Sequence, residues 1–144
     1  MNNLISNSKP ASYNSCSGQK KIKYRQHLTQ LYNSFNPMSI PSNLKMYGIV
    51  YHFYNGKCRM DADNLSKPVW DALNHVAYND DNQIKYRVSA SIKKDDIGFT
   101  MFDFKDLNAK IIFDLVKAIV NEPHFFYVEC GDYDDTLLKV NLEK

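Results

Sequence analysis

The first sixty residues contain no aspartate or glutamate. Eight Lys or Arg fall in that stretch, whereas all sixteen acids lie from Asp61 onward against ten further bases, so a net charge of +2 hides a basic first part and an acidic remainder. Such segregation fits a basic surface for a polyanion and a separate acidic site, although two oppositely charged halves also attract one another as packing partners. Cysteine is scarce. Cys16, Cys58 and Cys130 are an odd number at unrelated spacings, which argues against a disulfide framework or a zinc knuckle and for reduced thiols. No run approaches the roughly eighteen uninterrupted apolar residues of a membrane span. The opening MNNLISNSKP has neither the basic start nor the apolar middle of a signal peptide. A cytoplasmic protein with no membrane partner is expected. The 144 residues, 44% apolar and 13% aromatic, suffice for one packed core.

Periodicity supplies the elements. A loop-rich start with a short strand near Leu4 and Ile5 leads to QKKIKYRQHLTQLYNSF, where Ile22, Leu28, Leu31 and Phe35 share a helical face. Lys20, Lys21, Lys23 and Arg25 crowd its first turns, where the positive end of the helix dipole disfavours cations unless an external anion joins them. KMYGIVYHFYNGKCRMD predicts a strand with Tyr47, Ile49, Tyr51 and Phe53 toward one side. Its NG predicts a hairpin that returns 57–60 antiparallel and delivers Asp61 at a strand end. A helix from about Asn64 to Ala77 comes next, burying Leu65, Val69, Ala72, Leu73 and Val76, with Pro68 tolerated near its start. IKYRVSASI alternates cleanly as a strand, and KKDD predicts a hairpin into IGFTMFDF. A helix in DLNAKIIFDLVKAIVN, capped by Asp106 or its neighbour and stopped before Pro123, precedes strands at HFFYVEC and TLLKVNL. The order predicts an α+β fold with a mixed, mainly antiparallel sheet and helices packed on it.

DADNLSKPVWDAL, residues 61–73, carries the chemistry. Asp61 and Asp63 stand where a strand hands over to a helix, and Asp80 and Asp81 precede the next strand. If those strands are neighbours, four carboxylates converge at one end of the sheet. Oxygen-only ligands suit Mg²⁺ or Mn²⁺. A calcium loop is a poor alternative, because Ser66 and Ala72 stand where that motif needs Gly and Glu. A carboxylate-held pair of divalent ions about 4 Å apart activates water and steadies the leaving oxygen in phosphodiester cleavage. Lys67, one turn into the helix, would set an ammonium against the reacting phosphate. The structural alternative makes Asp63 an N-cap and Asp63, Lys67 and Asp71 an exposed ion-pair ladder.

DADNLSKPVWDAL with NDDNQI after it resembles the signature of the RusA family of Holliday junction resolvases, approximately D-x-D-N-x-x-K-x-x-x-D-x-L and then D-D-x-x-[IV]. The resemblance implies a homodimeric, Mg²⁺-dependent endodeoxyribonuclease that cuts four-way or other branched DNA in recombination and repair. It places the catalytic and metal-holding acids at Asp61, Asp63 and Asp81 and the catalytic lysine at Lys67, with Asp71 and Asp80 in support. The family-like domain spans 1–104, and 105–144 reads as a C-terminal helix and strand extension of the same domain. Met60 stands where some members carry arginine, leaving Arg59 and Lys57 as the nearest bases.

Lys9, Lys20, Lys21, Lys23 and Arg25 are candidates to grip phosphates, and Arg59, Lys85 and Arg87 extend the track. Trp70 and Tyr78 read first as core, with stacking on an unpaired base as the alternative. Three functions compete. They are a junction-cleaving nuclease, a non-catalytic branched-DNA binding protein in which the acids are scaffold, and a metal-dependent nuclease or phosphatase for another nucleic acid.

Overall fold

The computed structural model of the chain describes residues 1–9, 11, 18–57, 60–98 and 102–137. In order, the elements are β1 (Asn2–Ser6), α1 (Gly18–Phe35), β2 (Met46–Tyr54), α2 (Ala62–Leu73), β3 (Ile84–Lys93), α3 (Ala109–Asn121) and β4 (His124–Asp132). Short 3₁₀ turns lie at Asp81–Gln83, Lys94–Asp96 and Asp135–Leu137. The four strands form one sheet in the order β1-β4-β2-β3, with β4 antiparallel to both its neighbours and β2 parallel to β3. This is the expected α+β architecture with a mixed sheet.

Alternation in β2 serves two cores. Met46 and Val50 face α1 and α2 and pack with Leu28, Tyr32, Leu65, Val69, Trp70 and Leu73. Phe53 faces the other way, joining Ile5, Phe125, Tyr127 and the Ile111, Leu115 and Ala118 stripe of α3. On α1 the buried residues are Leu28 and Tyr32, with Tyr24 and Phe35 partly buried against the same core and Ile22 exposed, so the apolar face keeps Leu28 and Phe35 but takes Tyr24 and Tyr32 in place of Ile22 and Leu31. The indole of Trp70 lies directly on Gly48, where a Cβ would fall 2.4 Å from its ring. Only a glycine strand surface admits that approach. Cys130 is a buried free thiol, and burial pushes it up to about 12, so it stays protonated and inert.

Several sequence expectations are corrected. Gly56 does adopt the left-handed conformation, at φ 73°, but among the described residues β2 pairs with β3 and β4 and with no strand that follows the turn directly. Both edges of β2 are taken, by β3 and β4; Lys57 and Met60 are in no strand, and 58–59 lie outside the described residues. The motif helix begins at Ala62 rather than near Asn64 and ends at Leu73, because Asn74 is extended and His75 is left-handed at φ 62°. Pro68 therefore sits inside the helix and not in its first turn. KKDD forms a 3₁₀ turn, and the described residues beyond it, 97–98 and 102–104, form no strand. Asn108, not Asp106, caps α3, its side chain accepting from Ile111 N at 3.0 Å. Within TLLKVNL, Thr136 and Leu137 close a 3₁₀ turn, and 138–142 lie outside the described residues.

Candidate active site and nucleic-acid face

Asp61 takes the N-cap position of α2 with an extended backbone, φ −71° and ψ 147°, yet its side chain makes no capping hydrogen bond. The carboxylate is exposed and not used in holding the helix. Asp63 is next in the first turn, also exposed, where the positive end of the helix dipole favours an anion. Lys67 Nζ stands 3.9 Å from Asp71 Oδ1, with both side chains about half exposed, one rung of the ladder that the i, i+4 spacing predicts. The start of α2 is tied to the sheet from β3. Ser89 Oγ donates to Ala62 O at 2.6 Å, and Ser91 Oγ reaches Met60 O at 3.5 Å. These two serines set where the acidic helix start sits. Sequence reasoning missed them because alternation assigns them to solvent; the signal lay in two small hydroxyls where Lys85 and Arg87 set a charged pattern.

The second acidic pair is divided in its work. Asp80 caps the 3₁₀ turn, accepting from Asn82 N at 2.7 Å, while Gln83 Oε1 accepts from Asp80 N at 2.7 Å and completes a capping box. Gln83 Nε2 also donates to the carbonyls of Ser42 and Leu44, each at 2.8 Å, pinning the turn to the loop before β2. Asp81 is exposed, with one oxygen 3.3 Å from the Tyr78 hydroxyl, which also donates to Trp70 O. Burial, then the charge of Asp81, raises Tyr78 well above the ordinary phenol range, so it remains a donor. Tyr78 and Trp70 are core residues, 0% and 1% exposed, and neither is placed to stack on a base.

The expectation that both acidic turns share one end of the sheet is corrected by the strand pairing. Because β2 and β3 are parallel, α2 is the crossover that carries the chain back along them. The segment leaving β2 and the turn entering β3 therefore lie at opposite ends. Ala62 sits beside Ser89, whereas Asp81 is linked through Tyr78 to Trp70, eight residues along α2 and so about 12 Å down its axis. Among the described residues no group of three His, Cys, Asp or Glu is disposed to hold a metal ion. One chain thus offers Asp61 and Asp63 as an exposed oxygen pair. That donor set fits Mg²⁺, which accepts one or two carboxylates and fills its remaining positions with water or substrate phosphate. It does not by itself gather Asp81.

The remaining candidates are exposed cations. Lys20, Lys21, Lys23 and Arg25 occupy the first two turns of α1, with no acid among them, and Lys9 is exposed ahead of it. Lys85 and Arg87 are exposed on the strand face that meets α2, and the charge of Arg87 is felt at Tyr78. Helices α1 and α2 pack side by side, with Thr29 Oγ1 donating to Ala72 O at 3.3 Å, so these bases and the acids occupy one side of the sheet. Arg59 lies outside the described residues.

A helix that opens on two exposed carboxylates thus packs against a helix with a basic start on the same face of the sheet. The family model for the endodeoxyribonuclease RusA matches residues 16–99, more than half of the chain, and the chain belongs to that family. No curated protein matches it in sequence. The matched span includes α1, β2, α2 and β3, and hence Asp61, Asp63, Asp71, Asp80 and Asp81. No helix among the described residues is long and apolar enough to cross a membrane.

Proposed function

We propose that this protein is a Mg²⁺-dependent, homodimeric endodeoxyribonuclease that resolves four-way DNA junctions in recombination and repair. The observation that carries this reading is the uncapped, exposed pair Asp61 and Asp63 at the start of α2, inside the span matched by the family. Asp61 and Asp63 would hold Mg²⁺, with Asp81 as the third acid. Bound there, the ion supplies acidified water and neutralises charge developing on the phosphate. Lys67 presents an ammonium one turn from Asp63, toward the phosphate or the leaving oxygen, and Asp71 steers it. Lys20, Lys21, Lys23 and Arg25 hold duplex phosphates, and Lys85 and Arg87 continue that hold.

Two copies supply what one lacks. Since Asp81 stands a helix length from Asp61 and Asp63, a three-acid site takes Asp81 from the second copy. The surface around Asp81 suits such an approach. The loop pinned to its turn carries Met38, Ile40 and Leu44, exposed at 92%, 81% and 60%. A homodimer also matches the two symmetric cuts that a four-way junction demands.

The same separation of the acids favours the second reading, a branched-DNA binding module in which they are scaffold. Purified protein on four-way junctions, linear duplex and flaps, with and without Mg²⁺, decides between them. Metal-dependent cleavage of the junction that is lost in Asp63→Asn supports the nuclease. Tight junction binding with no metal-dependent product, and no difference between Asp63→Asn and wild type, establishes the module.

A further inference from the structure

Strand β3 ends the sheet on one side. Among the described residues it pairs with β2 alone, so the outer edge of a ten-residue strand has no partner. None of its residues is buried, whereas β2 and β4 bury more than half of theirs. Tyr86, Val88, Ala90 and Ile92 form a half-exposed, largely apolar row, and Arg87, Ser89 and Ser91 alternate with them on the face that meets α2. A long edge of this kind is a template for another strand, and charges are the usual guard against the wrong one. Here the cations are Lys85 and Arg87 at one end and Lys93 at the other, and 88–92 carries none.

That distribution selects a second copy in one register. Two β3 strands related by a two-fold axis run antiparallel and keep their faces in common, so residues directly opposite share a side. With Val88 opposite the partner's Val88, Tyr86 meets the partner's Ala90, Arg87 the partner's Ser89 and Lys85 the partner's Ser91. An aromatic ring then faces a small side chain, and each of these cations faces a hydroxyl. Centring the pair on Arg87 instead would oppose two guanidiniums, and centring it on Ser89 would oppose Lys85 and the partner's Lys93; like charges directly opposite destabilise a sheet. The Val88 register also brings opposite charges together. Ser89 and Ser91 are the residues that hold Ala62 and Met60, so Arg87 of one copy comes alongside Asp61 and Asp63 of the other. The partner's Asp81 then lies four to six strand positions from that acid pair, against eight to ten within one chain.

We propose that two copies join edge to edge through β3, with Val88 on the axis, into one continuous sheet that sets Arg87 of each copy beside the acid pair of the other. The inference rests on the homodimeric reading above and gives it a surface. Disulfide trapping tests it, in a background with Cys16 and Cys58 changed to serine. Val88→Cys puts two thiols across the axis at the roughly 4.5–5.5 Å Cα separation of opposed residues, within reach of a disulfide. Ala90→Cys leaves them four positions, about 13 Å, apart. The expected result is a two-copy mass by sedimentation and, under mild oxidation, at least about tenfold more covalent dimer from Val88→Cys than from Ala90→Cys. If circular dichroism shows that Val88→Cys does not fold, an equal mixture of Tyr86→Cys and Ala90→Cys chains carries the test, with the mixed disulfide expected in excess over either chain bridged to itself. A two-copy mass with no preferential bridge at these positions overturns this surface and leaves the homodimer standing; a single-copy mass overturns both. The trap is read without DNA or metal and is expected to be unchanged in Asp63→Asn, so its failure is distinguishable from a failure to cut junctions.

Discussion

Asp80 and Asp81 are adjacent and chemically identical, yet their surroundings give them different work. The Asp80 carboxylate closes a capping box, and Asp81 stands exposed beside the Tyr78 hydroxyl. Asp80→Ala is therefore expected to cost stability, about 1 kcal/mol by the usual worth of a cap. Asp81→Asn is expected to leave the melting temperature nearly unchanged and to cut junction cleavage by about a hundredfold or more. Thermal melts beside single-turnover cleavage of the two variants check the division. His52 offers a separate test. It is 5% exposed, and burial, with His124 second, pushes it down to about 4. An unfolded histidine titrates near 6.5, so below that pH the unfolded chain takes up a proton that the folded one refuses. Stability should fall as pH drops from about 6.5 toward 4, by about 3 kcal/mol at the lower end from this residue. Urea midpoints at neutral and acid pH, with the slope reduced in His52→Gln, measure it.

At the scale of elements, alternation marks which residues share a strand face, and IKYRVSASI became β3 with little change. Which strands pair, and in which direction, was not legible, because periodicity carries no information about neighbours. The NG turn shows the difference. Its local chemistry was legible, as Gly56 is left-handed, but the edges of β2 are taken by β3 and β4, which come from much later in the chain. The acids were likewise legible as a spacing and a family signature, while their separation arises from a parallel crossover that no local pattern announces. Gly48 is another long-range fact, since only its contact with Trp70, 22 residues on, shows why it is glycine. Gly48→Ala sets a methyl against a rigid buried ring and is expected to destabilise by about 1–3 kcal/mol, read from the denaturant midpoint. The basic start of α1 has an electrostatic signature of its own. Replacing Lys20, Lys23 and Arg25 with alanine should flatten the log–log salt dependence of junction binding by up to about 3 units, without altering the Mg²⁺ requirement.

For the whole molecule, the question is whether one chain or two complete the site. A site within a single chain and a site shared between copies make opposite forecasts for a mixture of two inactive variants. In a heterodimer of Asp63→Asn with Asp81→Asn, a single-chain site is dead in both copies, because each copy lacks one of its own acids. A shared site behaves differently. The intact Asp63 of one copy meets the intact Asp81 of the other, restoring one centre, while the second centre carries both substitutions. Such a dimer should nick one strand of a four-way junction and fail at the symmetric cut. With random assortment about half of the dimers are mixed, so nicking should return to a readily measured fraction of wild-type activity while paired cleavage stays absent. Denaturing gels that separate nicked from resolved junctions read the result, after co-refolding of the two variants. Complete absence of nicks, with dimers shown to have exchanged, would refute the shared site and return Asp81 to a structural role beside Tyr78.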